Sequence, residues 1–258
     1  MSGLLGLPEG VRACLFDLDG VITRTAVVHA RAWKDMFDAF LGRWSARHGR
    51  PFVPFDPDAD YGRYVDGRTR LDGTRGFLAA RGIRLPEGGP DDPPGAETVQ
   101  GLGNAKNELV LRRIREDGVD VYPDAVTFLH RARGAGLATA VVSSSANTAE
   151  VLRVTGLEPL FDARIDGQVA QRRGLAGKPA PDTFLAGAAA LGAPARDATV
   201  FEDALAGVEA GRAGGFALVV GVDRVGHGHG DGLRAHGADV VVTDLTDLLE
   251  LPDARERS

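Results

Sequence analysis

Two carboxylates stand one residue apart in Leu15-Phe16-Asp17-Leu18-Asp19-Gly20, directly after an apolar run that reads as a buried strand. A core strand gains nothing from them, because a buried carboxylate is costly unless a partner or a metal neutralises it. Either the strand ends in a solvated turn, or Asp17 and Asp19 do chemistry. Residues i and i+2 of an extended chain project the same way, so both can face one substrate. A carboxylate can attack phosphorus and form an aspartyl-phosphate. The repulsion between that carboxylate and a phosphate dianion must be offset, and Mg²⁺, which takes oxygen ligands, suits the task. Asp17 and Asp203 could supply side-chain ligands. Lys178 and Ser143 fit as holders of the remaining phosphate oxygens, and Asp19 as general acid and base.

For these residues to meet, they must lie at the carboxyl ends of neighbouring parallel strands. Short apolar runs read as such strands at Ala13–Phe16, Leu137–Val142, Ala198–Phe201, Phe216–Val220 and Asp239–Val242, with another near Ile165. Helical patterns intervene at Asp124–Gly134, Asn147–Thr155, Pro181–Leu191 and Leu205–Ala213, closed by glycines. The alternation predicts an α/β fold, a Rossmann-like doubly wound parallel sheet. Asp17 and Asp19 follow the first strand, and Ser143, Ser144, Ser145 and Asn147 the second. Lys178-Pro179 follows the segment near Ile165, and Glu202-Asp203 the strand at Ala198.

Between Thr25 and about Asp117 the pattern changes to helices, at Val27–Leu41, Arg70–Arg81 and Asn104–Glu116, with loops rich in Pro, Gly and Asp. This predicts an α-helical cap domain, 25–117, inserted into a core made of 1–24 and 118–258. A lid joined by two crossings can open and close over a site. Trp44, Phe52 and Phe55 are expected to form a small satellite core within it.

The four strand-end motifs, in this order, resemble those of the haloacid dehalogenase superfamily of phosphotransferases. The resemblance implies that Asp17 is the nucleophile and Asp19 the acid/base. It also implies that Mg²⁺ is held by the Asp17 side chain, the Asp19 main-chain carbonyl and the pair Glu202-Asp203. A narrower resemblance, to the β-phosphoglucomutase subfamily, rests on Phe16–Lys34, Asp66–Gly73, Gly103–Glu108 and Ser143–Asn147. It implies interconversion of β-glucose 1-phosphate and glucose 6-phosphate through the 1,6-bisphosphate. By position it places Thr25 at the hinge, His29 beside the acid/base, and Arg70 on the distal phosphate. Trp33, Gly67, Lys106, Ser144, Ser145 and Asn147 fall at substrate-binding positions. The chain departs from the subfamily at Arg24, where Asp is frequent, and at Ala146, where Lys is frequent. Segments 42–60 and 85–101 are also longer. These differences bear on the sugar rather than on the aspartyl-phosphate chemistry.

Plainer readings accompany the motifs. Lys178 with Asp203 could be a structural ion pair. Ser143 could cap the helix beginning near Asn147, which is compatible with binding phosphate there. His29 and Trp33, four apart, could simply pack the lid. Arg70 and Lys106 could be solvated surface charges. The run Gly226–Gly232, with His227 and His229 among glycines, reads as a flexible loop rather than a metal site. A sugar-phosphate phosphatase would use the same four motifs, with water as the acceptor. A non-catalytic sugar-phosphate sensor would have no need of both Asp17 and Asp19.

The 258 residues, 43% hydrophobic and 26% charged, allow one large domain or two modest ones. A net charge of −6 without a long basic run argues against nucleic acid or an anionic membrane as partner. A small sugar phosphate is the expected partner, bound by a monomer. Cys14, the single cysteine, excludes a disulfide framework and reads as core. With no signal-like or membrane-length apolar run, a cytoplasmic location is expected.

Overall fold

A computed structural model describes residues 4–250. These divide into two compact units: an α/β unit built from the chain up to Arg24 and from Val119 onward, and a helical unit, Thr25–Gly118.

The chain enters the α/β unit through β1 (Ala13–Phe16) and leaves it for the helical unit, which carries α1 (Thr25–His48), α2 (Arg70–Ala80) and α3 (Val99–Asp117). It returns with α4 (Pro123–Gly134), β2 (Ala138–Val142), α5 (Thr148–Thr155), β3 (Ala163–Ile165) and α6 (Gly167–Arg173). Then follow α7 (Asp182–Ala190), β4 (Ala198–Glu202), α8 (Leu205–Ala213), β5 (Leu218–Val222), α9 (His229–Ala235) and β6 (Val240–Val242). The six strands are all parallel, in the order β3-β2-β1-β4-β5-β6. β1 is therefore central, flanked by β2 and β4, and the strand order reverses beside it. A crevice forms outside the carboxyl ends at such a switch point.

The central strands are buried on both faces, which explains their unbroken apolar runs. Phe16 stacks on Phe201 with centroids 4.4 Å apart, and Phe128 closes on both rings. The backbone ladder continues one residue past two of the strands. Asp17 N–H donates to Phe201 O at 2.9 Å, and Ser143 N–H to Ile165 O at 3.0 Å. Asp17 and Ser143 thus inherit the register of the sheet. The segments leading out of and back into this unit pair with each other, through Arg24 N–H to Asp120 O and Tyr122 N–H to Ile22 O.

The helical unit has its own core, in which Trp33, Phe37, Phe40 and Leu41 of α1 pack with Phe55, Phe77, Leu78 and Leu102. Phe37 lies 4.1 Å from Phe77, centroid to centroid. α1 runs past Gly42 as far as His48, because Trp44 still finds this core, and stops where Gly49 adopts φ +61°. α3 starts at a Thr98 cap whose hydroxyl accepts from Gly101 N–H, five residues before the sequence pattern becomes periodic. Of the expected satellite trio, Phe55 is buried and Trp44 partly so, but Phe52 is exposed and takes no part.

The run Gly226–Gly232 is not simply a loop. α9 begins at His229, after turns at His227 and Gly228 that both have positive φ. The Asp223 carboxylate fixes that entry by accepting the N–H groups of Val225, Gly226 and Gly230. No helix among the described residues is long and apolar enough to cross a membrane.

Candidate active site

At the end of β1 the Asp17 carboxylate is held from two sides. Lys178 Nζ donates to Oδ1 at 2.6 Å and the Asp19 N–H to Oδ2 at 2.8 Å. That second bond bends the chain out of the strand, so the two acids meet through a turn rather than by simple alternation along extended chain. The turn closes through Ile22 and Thr23 N–H on Leu18 O. Gly20 completes it at φ +100°, where a Cβ would stand 1.9 Å from an oxygen of Asp203. Only glycine leaves that carboxylate room.

Lys178 reaches the site from the connection between α6 and α7. Its ammonium also donates to Glu202 Oε2 at 2.7 Å and lies 4.8 Å above the Phe184 ring. The lysine therefore pairs with Asp17 and Glu202, not with Asp203 as the simpler ion-pair reading had it. Glu202 receives the Ala204 N–H on its other oxygen at 3.1 Å. Burial would lower the Lys178 pKa, but the two carboxylates outweigh it and hold it above the ordinary lysine value. Burial pushes Asp17 up against the pull of Lys178, and pushes Glu202 up to about 8 against the same pull.

One ammonium is thus shared among buried acids that need more positive charge. The oxygens of Asp17, Glu202 and Asp203 lie within 4.8 Å of one another, and all three residues are buried. Such an all-carboxylate oxygen set fits a hard divalent cation, Mg²⁺ among them. The Asp19 side chain stands outside this set and instead accepts from Ser143 Oγ at 3.2 Å. Ser143 does not cap α5: its oxygen accepts the Ser145 N–H at 3.0 Å, and Asn147 holds the cap position. Ser145 Oγ in turn accepts the Asn147 N–H at 3.2 Å, so the serine run coils through two turns closed by its own hydroxyls after β2. Ser144 lies within it.

The helical unit gathers a second set. Lys106 Nζ lies 3.0 Å from His29 Nδ1 and 4.9 Å from the Trp33 ring centroid, and all three residues are buried. Burial, and then the neighbouring ammonium, hold the His29 pKa well below its usual value, so the ring is neutral. Lys106 is accordingly no surface charge. Arg70, the first residue of α2, runs along α3 where Gly103 leaves it space: a Cβ there would stand 3.3 Å from its Nε. Burial lowers the Arg70 pKa. Thr25 opens α1, and Gly67, at φ +67°, precedes the Thr69 cap of α2.

Two contributors escape sequence reasoning. Gly207, on α8, faces Glu202 so closely that a Cβ would stand 2.0 Å from the Glu202 Cδ. Its only signal is a small residue five positions after the acid. We expect Gly207→Ala to displace Glu202 from Lys178 and to cost about 1–3 kcal/mol of stability. Thermal melting, together with the Mg²⁺ concentration needed for half-maximal activity, checks this; an unchanged Mg²⁺ requirement would show that the Glu202 carboxylate does not depend on that gap. The second contributor is His229, taken up below.

The sheet order and these strand-end residues define a phosphotransferase-like α/β enzyme class, and the family model for haloacid dehalogenase-like hydrolases matches residues 11–215. The chain belongs to that family. It is 56% identical to the β-phosphoglucomutase of Mycobacterium bovis over 249 residues, 96% of this chain and 95% of that one. It is 30% identical to the β-phosphoglucomutase of Bacillus subtilis over 245 residues, 93% of each. Among solved structures, the β-phosphoglucomutase of Clostridium difficile matches with a TM-score of 0.70 at 24% identity, covering 92% of this chain and 93% of that one.

Proposed function

We propose that this chain is a β-phosphoglucomutase, converting β-glucose 1-phosphate to glucose 6-phosphate through β-glucose 1,6-bisphosphate. The chemistry rests on the Asp17 carboxylate, lodged between the Lys178 ammonium and the Asp19 N–H at the switch point of the sheet. The choice of sugar rests on the near-full-length likeness to β-phosphoglucomutases.

A free oxygen lone pair of Asp17 attacks phosphorus, and the bond from phosphorus to the sugar oxygen breaks. Asp19 gives its proton to that leaving oxygen, then takes one from the sugar hydroxyl that attacks the aspartyl-phosphate in the second step. Ser143 holds Asp19 by a hydrogen bond, and Lys178 holds Asp17 and neutralises charge as it develops. Asp17, Glu202 and Asp203, with the Asp19 main-chain carbonyl, would hold Mg²⁺, whose charge offsets the repulsion between carboxylate and phosphate. Thr25, His29, Trp33, Gly67, Arg70, Lys106, Ser144, Ser145 and Asn147 are assigned to the sugar phosphate. Arg70 takes the phosphate that is not reacting, a second anion that a mutase must hold and a simple phosphatase need not.

The test supplies β-glucose 1-phosphate, Mg²⁺ and a trace of the bisphosphate, and follows glucose 6-phosphate and free phosphate together. Isomer without stoichiometric phosphate supports the mutase; phosphate release without isomerisation replaces it with a phosphatase. In the same assay Arg70→Ala is expected to raise the bisphosphate concentration for half-maximal rate roughly 10- to 100-fold, with kcat at saturation changed far less. Unchanged bisphosphate dependence would remove Arg70 from the site.

A further inference from the structure

The connection from β5 to α9 runs at the same end of the sheet as the acid cluster, and places His229 in contact with it. His229 Nε2 lies 2.7 Å from the main-chain oxygen of Asp203, and a carbonyl oxygen only accepts, so the ring donates. The same peptide unit, Asp203 C=O and Ala204 N–H, is bonded at its other end to Glu202 Oε1 at 3.1 Å. One peptide plane therefore links His229 to both members of the acidic pair. It carries the Cα from which the Asp203 side chain springs, and it points its N–H at the Glu202 carboxylate.

Two glycines give the acidic pair its room. Gly20 admits the Asp203 carboxylate into a gap that any Cβ would fill, and Gly207 does the same for Glu202. His229 is itself pinned, since it opens α9 after the turn that the Asp223 carboxylate ties to Val225, Gly226 and Gly230.

We infer that His229 is a positioning residue for the metal site: by donating to the Asp203 carbonyl it fixes the peptide that aims both Glu202 and Asp203 at a bound divalent cation. This rests on the reading that Asp17, Glu202 and Asp203 hold Mg²⁺. His229 touches neither metal nor substrate in this scheme, and it acts only through the N–H that its Nε2 donates to the Asp203 carbonyl. Partners that orient metal ligands typically change affinity 10- to 100-fold when removed. His229 orients its carboxylates through a peptide rather than directly, so an effect near the lower bound is expected.

The experiment is Mg²⁺ titration of the full chain without substrate, by calorimetry and by the Mg²⁺-induced rise in melting temperature. His229→Phe keeps the ring and loses the donor, and is expected to weaken Mg²⁺ binding about tenfold. His229→Gln places an amide N–H near the Nε2 position and should bind within about threefold of wild type. At saturating Mg²⁺, both should approach the wild-type kcat. Should His229→Phe fail to fold, His229→Ala carries the same expectation. A variant without the donor that melts lower yet binds Mg²⁺ as tightly as wild type overturns the inference, leaving His229 a purely structural cap. So does His229→Gln binding as weakly as His229→Phe. If wild type itself binds no Mg²⁺, the metal reading falls and takes this inference with it, a result distinct from the other two.

Discussion

Asp17→Asn is expected to lose kcat by roughly 10⁴-fold or more while the protein keeps its fold. The side chain keeps its shape, and its amide oxygen can still accept from Lys178 or from the Asp19 N–H. What disappears is the nucleophile, since an amide oxygen does not form the aspartyl-phosphate. The expectation for stability has the opposite sign. Burial holds the Asp17 carboxyl above its ordinary value despite Lys178. A carboxyl whose pKa rises on folding costs stability at pH above both its folded and unfolded values. The neutral amide removes that cost, so metal-free Asp17→Asn should melt at or above wild type near neutral pH. Acid-quench trapping with labelled substrate, followed by peptide mass spectrometry, reads the covalent step: label on Asp17 in wild type and none in the variant. Label on another residue in wild type would overturn the assignment of nucleophile.

The expected loss is large because the proposed mechanism gives one carboxylate several jobs, and the convergence of residues around it is largely legible in the sequence. β1 and α8 fall where the apolar and helical patterns put them, and the four strand-end motifs do converge. Side-chain direction was less legible. Lys178 was weighed against Asp203, yet it meets Asp17 and Glu202. Glu202 still belongs to β4, whereas Asp203 lies past the strand, against the Gly20 turn. Whether an acid sits inside or just beyond a strand decides its partner, and boundaries are the weakest part of any pattern reading. α9 was hidden by its glycines. Its start is enforced by Asp223, which closes a local turn on Gly226 and reaches on to Gly230, a bond that helix periodicity does not encode. The further residues of α1, 42–48, come from tertiary packing of Trp44, which overrides the low helix propensity of Gly42.

Asp19→Asn separates proton transfer from the rest of the site. The asparagine keeps the main-chain N–H that holds Asp17, keeps its main-chain carbonyl, and can still accept from Ser143 Oγ. Mg²⁺ affinity should therefore stay within about threefold of wild type. The carboxyl proton is gone, and positioned acid–base groups contribute about 10²–10⁴-fold, so kcat on β-glucose 1-phosphate should fall by roughly 10³-fold. Cleaving an aryl phosphate asks little of an acid, because the phenolate leaves without one. With p-nitrophenyl phosphate the rate of Asp17 phosphorylation, read as a burst of nitrophenolate, should fall by less than about tenfold in the same variant. The contrast between the two substrates is the diagnostic quantity. Equal losses on both would mean that Asp19 serves by holding Asp17 and its surroundings in shape, and the acid would have to be sought elsewhere.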